Sequence, residues 1–241
     1  MTTLDVLAFG AHPDDVELGC GGTLASLTQS GRKVGIVHMT SGEAGTRGSA
    51  AERQAEAASA AEALGVPHLE FLDFGDGSLR TNKQEEDQLI TVLRRWRPEI
   101  VLAPAPQDRH PDHGRAHSLV RDACFYSGLG KRGSGDAHRP AAMFSYLQHD
   151  IAAPTFIIDV TSSWQRKMVA LDAYSSQIHQ PGKEQRDEPQ TKISSAMFRA
   201  AVEGRARHFG QQIGVEFGEP FISHGPLAIA DLFGLKPRGL R

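Results

Sequence analysis

Short apolar segments alternate with helix-forming segments along the first half of this chain, and this alternation constrains the fold most strongly. The apolar segments have the length and pattern of buried strands. They are residues 4–11, 33–39, 68–72 and 99–103, and the predicted helices are residues 21–30, 50–64, 83–95 and 113–125. Strands that alternate with helices form parallel sheets with helices packed on them. The pattern therefore predicts an α/β, Rossmann-like three-layer fold: a mostly parallel twisted sheet with helices on both faces.

The second half of the chain continues the pattern less regularly. It predicts two more strands, residues 143–147 and 155–160, and two more helices, residues 161–174 and 191–212. Residues 128–140 are rich in glycine and basic side chains, which is typical of a surface loop, and they are a candidate lid over a substrate. Residues 177–190 contain two prolines and predict an irregular segment.

Length and composition exclude several classes of protein. With 241 residues, the chain is predicted to be one domain over residues 1–241. The formal net charge of −3 gives no reason to expect electrostatic binding to nucleic acid or to a membrane surface. No apolar run is long enough to cross a membrane, and the first residues do not resemble a signal peptide, so a cytoplasmic location is expected. Two cysteines do not make a disulfide framework.

Two polar clusters follow two of the predicted strands directly. The sequence AHPDDVE at residues 11–17 comes after the first strand, and DRHPDH at residues 108–113 comes after the fourth. In a doubly wound sheet of order 3-2-1-4-5, strands one and four are neighbours. Ligands bind such sheets at the carboxyl ends of the strands, where the connections diverge to opposite faces. The topology therefore predicts that the two clusters meet in one site.

The residue types in these clusters are those of a catalytic metal site. Zinc binds His nitrogen and Asp oxygen, and two His with one Asp leave a position open for water. A further carboxylate can take a proton from that water, and a further His can stabilise an oxyanion or protonate a leaving amine. From the residues alone, either Asp14 or Asp15 could be the ligand and the other the base.

The two clusters resemble the signature motifs of the PIG-L/LmbE-like deacetylase family, and the likeness extends over nearly the whole chain. The sequence FGQQIGVEFGEPF at residues 209–221 resembles the subgroup of bacillithiol-biosynthesis deacetylases, which act on N-acetylglucosaminyl malate. The resemblance implies a zinc-dependent N-deacetylase, a hydrolase of linear amide C–N bonds. Its partners would be a small N-acetylated glucosaminyl conjugate and other copies of the chain, in a homo-oligomer such as a hexamer.

The resemblance also assigns roles to individual residues. It implies one Zn²⁺ per chain, with Fe²⁺ or Mn²⁺ accepted by the same ligands, held by His12, Asp15 and His113. It implies that Asp14 is the general base and that His110 stabilises the oxyanion or acts as acid. Asp112 would orient a histidine, as carboxylates commonly do. The residues expected beside the substrate are Glu43, Arg53 and Arg109, and relatives have a tyrosine at the position of Phe198.

Some residues are predicted to lie outside the chemistry. Cys20 is expected to pack as a small apolar residue, and Gly19–Gly22 lacks the spacing of a dinucleotide-binding turn. No site role is expected for five histidines without a partner at ligand spacing: His138, His149, His179, His208 and His224. Two other functions stay open: hydrolysis of another N-acyl amino sugar or thiol conjugate, and non-catalytic binding of a sugar or nucleotide.

Overall fold

The computed structural model describes residues 3–149, 152–182 and 187–231. Its strands are β1 Val6–Gly10, β2 Val34–His38, β3 His68–Phe71, β4 Ile100–Pro104, β5 Ala142–Tyr146, β6 Phe156–Asp159 and β7 Gly218–Ser223. Its helices are α1 Asp15–Gln29, α2 Ala50–Leu64, α3 Lys83–Trp96, α4 Pro111–Tyr126, α5 Trp164–Ala173 and α6 Ala196–Gln212. The prediction of one domain over residues 1–241, and that of an irregular segment at 177–190, extend in part outside the described residues.

These strands form one mostly parallel sheet in the order β3-β2-β1-β4-β5-β7-β6. Val6 of β1 pairs with Val34 of β2 on one side and with Ile100 of β4 on the other, both in parallel. The predicted fold class and the neighbouring positions of strands one and four are confirmed. Strand β7 is the exception, because it runs antiparallel to both β5 and β6.

The sequence pattern did not reveal β7. The strand contains Glu219 and Pro220, and both residue types are uncommon inside a central strand. Pro220 has no N–H to give to a neighbour, yet its carbonyl accepts the N–H of Leu147. Glu219 is buried and forms an ion pair with Lys167, so its charge is compensated inside the protein. Neither tertiary contact leaves a periodic signal in the sequence.

The core lies on both faces of the sheet, which makes the three layers. Alternate residues of β1 point to opposite faces: Val6 and Ala8 belong to a cluster with side chains of α1, α2, α5 and α6. Leu7 and Phe9 belong to a second cluster with side chains of α3 and α4. Because both faces of β1 are covered, this strand is apolar throughout.

Helix α1 begins earlier than predicted. The sequence predicted a helix from Gly21 to Ser30, on the basis of Leu24 and Leu27 on one face. The structure begins the helix at Asp15, directly after the first polar cluster. Inside the helix, Cys20 has φ −143° and ψ 18°, which is not helical, so α1 is interrupted there.

The loop at residues 128–140 is not a lid, because it lies at the wrong edge of the sheet. It connects the end of α4 to the start of β5, and therefore lies at the amino ends of the strands. His138 contacts the carbonyl of Pro98, just before β4, through its Nε2 at 2.8 Å. The buried guanidinium of Arg94 donates to carbonyls of Ser127, Leu129, Ser134 and Gly135, which attaches the loop to α3.

The helices of the described ranges include none that is long and apolar enough to span a membrane.

Candidate metal and active site

The turn after β1 brings the first cluster into a compact, strained arrangement. Asp14 precedes α1 with φ 100° and ψ −23°, a left-handed conformation that is unfavourable for a residue with a side chain. Such a conformation costs roughly 1–3 kcal/mol and persists only where the surrounding contacts enforce it. One of those contacts is local: the backbone N–H of His12 donates to Oδ2 of Asp15 at 2.8 Å. The strain therefore lies at a residue of the predicted site.

The turn after β4 presents the second cluster at the start of α4. His110 caps the helix, since its Nδ1 accepts the backbone N–H of Asp112 at 3.2 Å. Pro111 follows at the first helical position, which its fixed φ favours. His113, in the first turn of the helix, is buried and faces the first cluster. A neutral His110 that accepts through Nδ1 carries its proton on Nε2, so that nitrogen is a donor.

The two clusters meet, as the topology predicted. The ring centroid of His12 lies 4.7 Å from that of His110 and 5.7 Å from that of His113. One ring nitrogen from each of these three histidines lies within 4.8 Å of the other two. Asp15 bridges two of them: its Oδ1 is 3.1 Å from Nε2 of His113, and its Oδ2 is 3.4 Å from Nδ1 of His12. The predicted ligands His12, Asp15 and His113 are therefore adjacent.

Further carboxylates contact the ring nitrogens of His12 and His113 that do not face Asp15. Oδ1 of Asp108 is 3.0 Å from Nδ1 of His113, and Oδ1 of Asp76 is 2.9 Å from Nε2 of His12. Asp112, which was predicted to orient a histidine, is farther away, with Oδ2 3.6 Å from Nε2 of His12. Asp76 is thus the nearer of the two to His12. Sequence reasoning missed it, because it lies in the loop after β3, outside both motifs.

Asp14 is buried beside this cluster and differs from Asp15 in its environment. Among the described atoms, Oδ2 of Asp14 accepts no hydrogen bond, and Nη2 of Arg53 lies 3.6 Å from it. Burial raises the pKa of Asp14 to about 7, although Arg53 acts in the opposite direction. Burial also acts to raise the pKa of Asp15, but His113 and His12 outweigh it and hold that pKa well below its usual range. One carboxylate is therefore held ionised, while the other can exchange a proton near neutral pH.

The pKa values of the histidines follow the charges around them. Burial acts to lower the pKa of His113, but Asp15 and Asp108 outweigh it and raise that pKa to about 9. Burial and the neighbouring His12 and His113 lower the pKa of His110. Strong perturbation of adjacent titratable groups in a cleft is typical of functional sites.

The three residues predicted beside the substrate occupy different positions. Arg53 is buried, and its guanidinium donates to the carbonyl of Pro13 at 2.6 Å, in the turn that carries Asp14, and to that of Gly42 at 3.1 Å, in the loop after β2. Arg109 is exposed at the edge of the cavity. Glu43 is also exposed, and its carboxylate accepts the backbone N–H of Asp76 at 2.7 Å. Glu43 is not among the described residues that line the cavity.

The cavity in front of the cluster has a volume of about 350 Å³, in the size range of small-molecule sites. Gln148 and His149, which sequence reasoning did not select, are part of its wall. Nε2 of Gln148 donates to Oδ1 of Asp15 at 2.7 Å. The ring of His149 stacks on that of His113 with centroids 5.8 Å apart. The ring of Phe198 also contacts His149, with centroids 5.8 Å apart. No site role was expected for His149, because it has no partner at ligand spacing in the sequence; the fold nevertheless places it in the cavity wall against His113.

The donor set fits a divalent metal. Imidazole nitrogens and a carboxylate oxygen are ligands that zinc, iron and manganese accept. The carboxylates behind His12 and His113 are the arrangement that fixes ring orientation and tautomer in metal sites. Cys20, by contrast, is fully buried in the apolar core, which fits its predicted packing role.

Known proteins are similar to this chain in sequence and fold. The family model PIG-L, described as GlcNAc-PI de-N-acetylase, matches residues 7–124, a range that includes both polar clusters. Diacetylchitobiose deacetylase of Thermococcus kodakarensis is 34% identical over 189 residues, 72% of this chain and 70% of that protein. The chain belongs to the PIG-L family of deacetylases.

Two further relatives complete the comparison. The crystal structure of the conserved protein TT1542 from Thermus thermophilus has a TM-score of 0.86 and 34% identity, covering 95% of this chain and 98% of that one. A 4-oxalmesaconate hydratase of Pseudomonas putida is 29% identical over 197 residues, 72% of this chain and 74% of that protein. The family model and the Thermococcus kodakarensis relative both point to a deacetylase, while the Pseudomonas putida relative is named for a different reaction.

Proposed function

We propose that this chain is a zinc-dependent N-deacetylase that removes the acetyl group from an N-acetylglucosaminyl conjugate. The observation that carries the proposal is the position of Asp14. This buried carboxylate, whose pKa is raised to about 7, lies beside a cluster of metal-binding side chains in one cavity. A carboxylate that lies beside the histidines without bridging them can take a proton from water, which is what a general base must do.

His12, Asp15 and His113 would hold the metal, since Asp15 bridges the two rings. A divalent metal in this position supplies Lewis acidity, which lowers the pKa of water and polarises a carbonyl group. Asp76 and Asp112 would hold the ring of His12 from behind, and Asp108 would hold that of His113. Asp14 would then not be a metal ligand, so it could take a proton from water while the water attacks the acetyl carbon.

His110 would stabilise the negative charge that develops on the acetyl oxygen. Its Nδ1 is engaged by the backbone N–H of Asp112, so the neutral ring presents Nε2–H as a donor towards the cluster. Arg53 donates to the carbonyl of Pro13 and lies near the Asp14 carboxylate. These two contacts would stabilise the strained conformation of Asp14. Asp14 would finally transfer its proton to the leaving amine, which restores the carboxylate.

The substrate proposal is an N-acetylglucosamine unit with an anionic partner, N-acetylglucosaminyl malate. The relative from Thermococcus kodakarensis is named for a diacetylated disaccharide, which supports an acetylated amino sugar. Arg109 is exposed at the edge of the cavity, where a guanidinium can pair with a carboxylate in bidentate geometry. The likeness of residues 209–221 to the bacillithiol subgroup supports malate as the source of that carboxylate. We also expect a homo-oligomer, which native mass measurement would check.

The test is acetate release from three compounds by zinc-loaded protein: N-acetylglucosaminyl malate, diacetylchitobiose and N-acetylglucosamine. We expect the malate conjugate to have the highest kcat/KM. Arg109→Gln should raise KM for the malate conjugate and leave that for diacetylchitobiose unchanged. The matched control is Arg121→Gln, because this exposed arginine of α4 pairs with Asp122 and is not among the residues that line the cavity. Equal effects of Arg109→Gln on both substrates would contradict the carboxylate contact.

The same panel decides between the alternatives. Acetate release from other N-acyl amino sugars alone would keep the chemistry and discard malate. A second candidate reaction is hydration of an unsaturated carboxylate, because the Pseudomonas putida relative is named a 4-oxalmesaconate hydratase. Water addition to such a compound without acetate release from any amino sugar would favour that reaction instead.

A further inference from the structure

Helix α1 consists of two short helical segments with a break between them. The front segment, residues 15–19, carries the predicted ligand Asp15, and the rear segment is residues 21–29. Cys20 between them has non-helical angles. At Gly19 a Cβ atom would overlap the ring of Tyr146, whose hydroxyl donates to the carbonyl of Phe9 at 2.9 Å. The front segment therefore packs closely against the ring of Tyr146. Because the helix is interrupted at Cys20, the rear segment does not fix the position of the front segment through continuous helical hydrogen bonds.

A buried ion pair joins the two segments across the break. Nζ of Lys167, from α5, donates to the carbonyl of Leu18 at 2.8 Å and to Oε1 of Glu219 at 2.6 Å. Glu219, from β7, accepts the N–H groups of Gly22 at 2.9 Å and Thr23 at 2.7 Å, and the Thr23 hydroxyl at 2.6 Å. The cation lies at the carboxyl end of the front segment and the anion at the amino end of the rear one. Both placements match the helix dipoles.

The ion pair is linked to the proposed base, Asp14, through one residue. Leu18, whose carbonyl Lys167 holds, donates its own N–H to the carbonyl of Asp14 at 2.9 Å. The side chain of Leu18 lines the cavity. Asp14 has the unfavourable left-handed backbone, which needs surrounding contacts to persist. Two hydrogen bonds therefore link Lys167 to the backbone of Asp14 through the single residue Leu18.

A buried ion pair is a poor means of adding stability. Removing two charges from water costs several kcal/mol per ion, and well-packed apolar residues often do as well or better. Lys167 and Glu219 are nevertheless both about 2% exposed. Apolar side chains could not donate to the carbonyl of Leu18 on one side of the break or accept from the N–H groups of Gly22 and Thr23 on the other, whereas Lys167 and Glu219 do both.

We propose that Lys167 and Glu219 are positioning residues that fix the front segment, and with it Asp14 and Asp15, relative to the histidines of the second cluster. The proposal rests on the proposed function for its kinetic part. Its metal-binding part does not, because the affinity for Zn²⁺ depends on the placement of Asp15 whether or not acetate is released.

The test uses full-length Lys167→Met and Glu219→Gln, with Arg94→Met as the matched control. Arg94 is also a buried cation bonded to backbone carbonyls, but it lies at the opposite edge of the sheet. The first measurement is the Kd for Zn²⁺ alone, from competition with a chromophoric chelator. The second is kcat and KM for acetate release at saturating zinc, well below the Tm of every variant.

We expect Lys167→Met and Glu219→Gln to weaken zinc binding about tenfold, the loss typical of a disturbed support for metal ligands. They should lower kcat by about 10- to 100-fold with little change in KM, because misplacement of the reacting groups affects chemistry more than binding. Arg94→Met should lower Tm but leave zinc Kd and kcat unchanged.

Unchanged zinc Kd and kcat in Glu219→Gln would overturn the proposal, and this variant decides if Lys167→Met does not fold. An equal loss in Arg94→Met would also overturn it, since the effect would then follow stability alone. A wild-type protein that binds zinc but releases no acetate would contradict the proposed function, and the Kd series would still decide the role of the ion pair.

Discussion

Buried charges occur at both edges of the sheet, and their surroundings differ. At the amino edge, the guanidinium of Arg94 meets four backbone carbonyls of the loop that follows α4, at 2.7–3.0 Å. At the carboxyl edge, Oδ2 of Asp14 accepts no hydrogen bond from the described part of the chain, and its backbone is left-handed. Arg94 has the partners that a structural role requires, while Asp14 is held in an unfavourable state by its neighbours.

This difference separates the two kinds of role. A buried polar group with all its partners stabilises the local structure, and its removal should affect folding. A buried carboxylate with an oxygen that accepts no hydrogen bond, at a strained position, is costly, and such positions cluster at active sites. Substitutions of the two kinds of residue should therefore differ in their effect on activity, and each can break this distinction.

Asp14→Asn should give the largest loss. The amide cannot accept a proton from water, so we expect kcat to fall by about 10²- to 10⁴-fold, the range for general-base catalysis. Metal content should stay unchanged, because Asp15 rather than Asp14 bridges the histidines. Acetate assays together with elemental analysis check this. Loss of the metal would mean that Asp14 is a ligand and that the roles of the two aspartates are reversed.

His110→Gln should lower kcat by about 10²- to 10³-fold, the usual effect of removing one donor to an oxyanion. Because His110 lies within reach of His12 and His113, it could also be a third nitrogen ligand. The zinc Kd of the variant separates the two roles. Weaker metal binding with normal kcat at saturating zinc would make His110 a ligand.

Asp108→Asn should act mainly on metal affinity. Its carboxylate is 3.0 Å from Nδ1 of His113, where it fixes the ring. Loss of such a partner typically weakens metal binding by about 10- to 100-fold. Activity should return when zinc is saturating. Unchanged Kd would show that the ring of His113 is held by other contacts, such as the stacked His149.

Arg94→Met should leave activity intact and lower stability. The loss of several charge-assisted hydrogen bonds should reduce the free energy of unfolding by about 2–4 kcal/mol. Denaturant unfolding monitored by circular dichroism measures this change, and an assay of the folded variant gives kcat. A large fall in kcat would link the amino edge of the sheet to the site and remove the contrast between the two edges.

The sequence was sufficient to predict the parts of the molecule that local pattern controls. Apolar strands that alternate with helices predicted β1 to β4 and their order, and this order brought residues 11–17 and 108–113 together. The break in α1 and strand β7 were not predictable in this way. Both include residues in contact with the ion pair of Lys167 and Glu219, which are far apart in the chain.

Sequence pattern predicted the site residues that lie in motifs but not those that support them from other strands. His12, Asp14, Asp15, His110 and His113 lie in motifs at strand ends, so residue type and position were enough to select them. Asp76 and Gln148 follow β3 and β5 without any motif, and their contacts with His12 and Asp15 arise only when the sheet is assembled. Residues that support a site from another strand leave no local signal.

The most direct test is a titration of metal-free protein with Zn²⁺ while acetate release from an N-acetylglucosaminyl substrate is followed. We predict no activity without metal, a linear rise, and saturation at one zinc per chain. Acetate release from the metal-free protein would contradict the account, and so would a protein that binds one zinc per chain and releases no acetate from any N-acetylated sugar.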